Sequence, residues 1–171
     1  FRPPERSQTY IEIVPGISSV SAVPAYAGVP LTNRSNRTYE VVSVGDATIN
    51  WSEHSSADTL VLLSAVARIG EVATGLVEAG WSADTPVAMT RVGTTTDQAT
   101  VVSTLATIAK DASAAGMTSP AITVVGAVVG MRDALSWFET KPLFGWRVLV
   151  PRTKEQAAGL SARLRSYGAV S

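Results

Sequence analysis

The stretch "IEIVPGISSVSAVPAYAGVPLTNR", residues 11–34, joins a β-branched run to prolines, glycines and a row of small residues. Ile11, Ile13 and Val14 read as a buried strand that Pro15-Gly16 stops, and Ser18 to Ala27 reads as a short helix broken by Pro24, which lacks a ladder donor. The stretch is therefore strand, tight loop, broken helix. Small residues straight after a strand suit close packing of helix on sheet. They also suit a ligand that approaches the backbone, because N–H groups at a helix start can hydrogen-bond a carboxylate or an adenine edge. Packing is the simpler reading of these residues by themselves.

Outward from that unit the pattern keeps alternating. "YEVVSV" (Tyr39 to Val44) reads as a strand, "INWSEHSSAD" as a polar connection, and "TLVLLS" (Thr59 to Ser64) as a strand covered on both faces. Val66, Ile69, Val72, Leu76 and Val77 recur at helical spacing up to Gly80. "PVAMTRV" and "ATVVSTL", joined by the turn "GTTTDQ", predict a hairpin, followed by a helix from Leu105 to Ala115. "AITVVGAVV" (Ala121 to Val129) predicts another buried strand, and "MRDALSWFE" one or two helical turns. The fold class is α/β, a mixed sheet covered by helices. Composition changes near Thr140. Beyond it come a strand "RVLV" (Arg147 to Val150) and a helix with Thr153 as N-cap and Gln156 as its capping-box partner; Leu160, Leu164 and Tyr167 form an apolar face and Gly168 closes the helix. One β-α unit cannot bury its own core, so residues 141–171 read as the truncated start of a second α/β domain behind a first spanning 1–140.

Composition excludes several functions. With 171 residues, 46% of them hydrophobic and 16% charged, the chain can bury the core of one ordinary domain. The 14 basic and 14 acidic side chains cancel, so no global field gathers nucleic acid or an anionic membrane. Cysteine is absent and His54 is the single histidine, which removes disulfides, thiolate catalysis and multi-histidine metal sites; no metal is expected. No apolar run approaches a bilayer span and "FRPPERSQ" is no signal peptide, so a cytoplasmic protein is expected. A start without methionine and an end in what reads as a new strand suggest a piece of a longer protein.

The quoted motifs resemble those of the uroporphyrinogen-III C-methyltransferases, within the tetrapyrrole methylase family. "VPGISSVSAVPAYAGVPLTNR", "TLVLLS", "PVAMTRVGTTTDQATVVSTL" and "PAITVVGAVVGMRDALSWFE" occur in the family's order. The tail "PLFGWRVLVPRTKEQAAGLSARLRSYGA" is similar to the opening of a uroporphyrinogen-III synthase, which some bacteria fuse behind the methylase. The resemblance implies methyl transfer from S-adenosylmethionine to carbons of uroporphyrinogen III, giving precorrin-2 for siroheme and cobalamin, with S-adenosylhomocysteine as by-product. A sulfonium donor is intrinsically reactive, so such a protein must hold donor and pyrrole in line and exclude water; missing Cys and His are no objection.

The resemblance places donor contacts at Ser18, Ser19, Ser64 and Gly93. Three departures stand out: Ser64 where methionine is usual, Arg91-Val92 where Glu-Asn is usual, and Asn33 in "LTNR" where histidine is common. They leave open an alternative, a degenerate methylase-like scaffold or interaction module for the fused synthase. Arg34 and Arg91 are candidates for substrate carboxylates, with a structural ion pair or a solvated turn as the competing readings. His54, with Asp58 nearby, reads as a surface residue rather than a base, and Trp81, Trp137 and Trp146 as packing anchors. Catalytic residues stay unassigned, because the family's glycine-rich and acid-base motifs fall before Phe1. The family's usual dimer is expected, with "VSAVPAYAGV" offering apolar surface.

Overall fold

The computed structural model describes residues 12–171. Its sheet has five strands, β1 (Glu40–Ser43), β2 (Leu60–Leu63), β3 (Pro86–Arg91), β4 (Ala99–Thr104) and β5 (Ala121–Val125), in the order β1-β2-β5-β3-β4. β1 and β2 run parallel, β5 runs antiparallel to both β2 and β3, and β3 and β4 form the expected hairpin. The sheet is mixed, as the alternating sequence pattern predicts.

Period-two alternation sorts the strand residues onto two buried faces. Leu60, Leu62, Val87, Met89 and Val125 meet α2 (Ile69–Glu78) and α3 (Ile108–Ala114) through Ile69, Val72, Leu76 and Ile108. On the other face, Ala88 and Val124 pack with Ala27 of α1 (Ser19–Ala27) and with Val128 and Val129, while Val61 and Ile122 pack with Val23. The continuous apolar run of β2 is covered on both sides. α1 continues through Pro24 as one nine-residue helix, capped by Ser18 and closed by Gly28 at φ 72°. Gly28 has no alternative there: a Cβ would lie 2.7 Å from the backbone of Leu135 and Ser136.

Several elements differ from expectation. Ile13 and Val14 form no strand and are 87% and 79% exposed, because no strand of the described residues pairs with them; Ile11 lies outside the described residues. β5 stops at Val125, where Gly126 takes φ 140° against the Asp58 carbonyl, and a 3-10 turn (Ala127–Met131) and the single-turn α4 (Arg132–Leu135) follow. α3 starts at Ile108 rather than Leu105, whose N–H is taken by the Thr85 carbonyl.

In the tail, "RVLV" makes only a bridge from Arg147 to Val170, and Leu149 is 90% exposed, since no strand of the described residues lies beside it to extend the ladder. α5 (Lys154–Ser166) has the expected Thr153 cap, a long 3.5 Å bond from the Gln156 N–H, while Leu160 and Tyr167 remain half-exposed. Among the described residues no helix is long and apolar enough to cross a membrane.

Candidate functional site

β2 and β3 finish at the same end of the sheet, where β5 begins, because register pairs Leu63 with Ile122 and Arg91 with Ala121. Ser64 and Arg91 therefore flank Ala121, and the Val92 N–H extends the row to the Pro120 carbonyl at 3.1 Å. At this end three residues that carry side chains adopt left-handed backbone: Ser64 (φ 55°), Val92 (φ 46°) and Thr94 (φ 70°). A β-branched residue in that region is a true outlier, and such strain gathers at functional sites.

Gly93 sits between two of them, pressed against α1. A Cβ on it would lie 2.6 Å from both γ-methyl groups of Val23. Beside this contact opens a cavity of about 350 Å³ lined by Ser19, Val23, Thr90, Gly93, Thr95 and Ile122 among others. Its walls are mostly apolar with a few hydroxyls, and the size falls at the lower end of small-ligand pockets. The Ser18 hydroxyl accepts the Val20 N–H at 3.2 Å, so its first role is to cap α1. Arg91 is half-buried, and its Nε is buried without a hydrogen-bond partner among the described residues, as is the Thr123 hydroxyl.

Arg34 does not join this group. The turn after it is fixed at the opposite end of the sheet, where Asp58 Oδ2 accepts the Arg37 and Thr38 N–H groups at 2.8 and 3.0 Å and the Thr38 hydroxyl at 2.9 Å. Those bonds, the Thr38 N–H foremost, hold the Asp58 carboxyl below the usual aspartate range. His54 is half-buried rather than a surface residue, and it bonds Glu40 Oε2 at 2.7 Å instead of Asp58. The tryptophans behave as packing anchors to differing degrees: Trp137 stacks on Tyr26 at 5.1 Å and donates to the Ala25 carbonyl at 3.0 Å, whereas Trp146 is 63% exposed. Much of "VSAVPAYAGV" is spent inside the chain, since Val23, Pro24, Ala27 and Val29 are buried in its own core. No cluster of metal-binding side chains occurs among the described residues.

Sequence reading missed a buried polar cluster behind the site. Gln98, 4% exposed, bonds the Thr94 N–H and Glu139, and Glu139 in turn pairs with Arg132. Gln98 belongs to a turn of polar residues and its acidic partner lies 41 positions away, so no local signal marks it as buried.

Residues 4–109 match the family model for Tetrapyrrole (Corrin/Porphyrin) Methylases. The chain belongs to this family. A uroporphyrinogen III methyltransferase of Methanosarcina barkeri, described as S-adenosyl-L-methionine-dependent, is 40% identical over 132 residues, covering 72% of the chain and 52% of that protein. A Bacillus subtilis uroporphyrinogen-III C-methyltransferase is 32% identical over 166 residues, covering 92% and 34%. The crystal structure of the Thermus thermophilus uroporphyrin-III C-methyl transferase with S-adenyl homocysteine superposes with a TM-score of 0.61 at 26% identity, covering 69% of the chain and 51% of that protein. This methylase chain thus spans from a third to about half the length of these relatives.

Proposed function

We propose that this chain is the C-terminal part of a methyltransferase that moves a methyl group from S-adenosylmethionine to uroporphyrinogen III, giving precorrin-2. The observation that supports it is the cavity between α1 and the β3–β4 loop, lined by Ser19 and Gly93, in a chain of this family. Its apolar walls and hydroxyls suit the adenosyl part of the donor, which would lie against Gly93 and the start of α1, with Ser18 fixing that helix end and Ser64 following β2 opposite Ala121, a lining residue. When bound, the donor would supply an electrophilic methyl to a pyrrole carbon, leaving S-adenosylhomocysteine, with one proton lost from the methylated pyrrole. The protein holds the two reactants in line and keeps water out. Arg91, at the cavity's end of the sheet though not one of its lining residues, is the nearer candidate for a substrate carboxylate; Arg34 would reach one only at the far end.

We also assign residues 1–140 to the methylase and 141–171 to the opening of a uroporphyrinogen-III synthase domain in a cytoplasmic, dimeric parent protein. What supports the second assignment is the similarity of "PLFGWRVLVPRTKEQAAGLSARLRSYGA" to the opening of such a synthase. The test is transfer of labelled methyl from S-adenosylmethionine to uroporphyrinogen III by the intact protein, with synthase activity assayed in the same preparation. Methyl transfer supports the enzyme. Synthase activity without it would leave the alternative that Ser64 and Arg91-Val92 favour, a methylase-shaped scaffold.

A further inference from the structure

The loop Val92–Thr94 holds an unfavourable conformation and therefore needs support, which reaches it from two sides. Val23 of α1 backs Gly93. On the other side Gln98 Oε1 accepts the Thr94 N–H at 2.7 Å. With the amide oxygen so committed, Nε2 must face acceptors, and it donates to Glu139 Oε1 at 2.7 Å and to the Tyr26 carbonyl at 3.3 Å. Glu139 Oε1 also accepts the Thr100 hydroxyl at 2.6 Å, and the Thr100 hydroxyl oxygen lies 3.0 Å from that of Thr90, a cavity residue. The other carboxylate oxygen pairs with Arg132, whose guanidinium donates to the Ala27 carbonyl at the end of α1. The Arg132 and Glu139 side chains are only 12% and 17% exposed.

One carboxylate therefore ties together the strained loop, two strands and the helix that bound the cavity. Each bond has a single workable direction: the carboxylate can only accept, the guanidinium can only donate, and the amide must turn its oxygen toward Thr94. We infer that Gln98 and Glu139 are positioning residues of the donor site, holding Thr94 left-handed so that Gly93 stays against α1 and the cavity stays open. The inference rests on the proposed donor reading.

The test uses the intact protein and four variants: Q98A, Q98E, E139Q and the exchange Q98E/E139Q. Two quantities are read, the dissociation constant for S-adenosylhomocysteine by calorimetry and the hydrogen-exchange rate of the Thr94 amide. Q98A is expected to weaken binding about tenfold or more and to speed Thr94 exchange, since the part-buried bond that holds the Thr94 N–H is lost. Q98E sets two carboxylates against each other and weakens binding likewise. The exchange variant again sets one acid against one amide, but Arg132 loses its carboxylate and residue 98 no longer donates to the Tyr26 carbonyl, so it is expected to recover only part of the Q98E loss. Wild-type affinity and wild-type Thr94 protection in Q98A would overturn the inference, as would an exchange variant that binds no better than Q98E. If the wild-type protein binds no S-adenosylhomocysteine, the donor reading falls, and the inference about a donor site falls with it. Thr94 exchange in Q98A then still shows whether the clamp exists.

Discussion

Gly93→Ala tests the contact on which the site is built. The added Cβ would meet Cγ1 and Cγ2 of Val23 at 2.6 Å and its Cβ at 3.0 Å. Ordinary carbon contacts are about 3.5–4.0 Å, so helix and loop must part by roughly 1 Å. Rotating Val23 gives no relief, because both methyl groups already crowd the position and a helical valine has one strongly preferred rotamer. Overpacking of this kind costs about 1–3 kcal/mol. For a protein of this size that lowers the melting temperature by about 2–12 °C, at roughly 2–4 °C per kcal/mol. The assay is thermal unfolding of G93A in the wild-type and Val23→Ala backgrounds, with S-adenosylhomocysteine affinity measured alongside. In the V23A background the penalty is expected to shrink to under about 1 kcal/mol, because the two methyl groups are gone. A G93A protein that melts with the wild type, or an equal penalty in both backgrounds, would refute the argument that Gly93 is held against α1.

Val92→Gly removes a strained residue: relief of about 1–3 kcal/mol outweighs the roughly 0.5–1 kcal/mol cost of a freer unfolded chain, so V92G is expected to melt higher. An unchanged or lower melting temperature would show that φ 46° carries no strain. Asp58→Asn checks the turn before β1. The folded carboxyl titrates below its unfolded value, so its stabilisation is present above the usual aspartate range and is lost as pH falls through the folded value. D58N should therefore melt lower than wild type near neutral pH, and the gap should narrow as pH falls below the ordinary aspartate range; a constant gap would refute the capping role. For the substrate, Arg91→Met is expected to raise KM for uroporphyrinogen III about tenfold with donor affinity kept, and Arg34→Ala to do less. An Arg34→Ala effect as large would show substrate reaching both ends of the sheet.

The strands and helices with a one-sided or fully apolar pattern were legible in the sequence, because burial against a neighbour is written into their periodicity. β2, the β3–β4 hairpin and α2 show this: each packs where its apolar residues demand. Elements whose existence depends on a distant partner were not legible. Val14 and Leu149 are as β-prone as Val61, but a strand forms only where another strand offers hydrogen bonds, and composition does not reveal that. The site divides in the same way. Gly93 and Ser19 could be carried over by motif, whereas Gln98 looks like an ordinary turn residue until Glu139 is brought beside it. Arg34 follows α1 closely in sequence, yet the turn after it is fixed at the end of the sheet opposite the cavity.

The position of β5 governs the order in which this fold can be assembled. Among the described residues β1 and β2 pair with each other, and β3 with β4, and β5, the latest of the five strands in sequence, joins the two pairs in the sheet. A chain emerging from the ribosome therefore carries two separate two-stranded pieces, each marginal in water, until residues 121–125 are available to bridge them. Val61, Ala88 and Met89 remain uncovered on one edge during that interval, which makes the nascent protein depend on quick delivery of one five-residue segment. A substitution that weakens β5, such as a proline at Thr123, would then reduce the yield of folded protein more than its effect on the melting temperature of the finished molecule suggests.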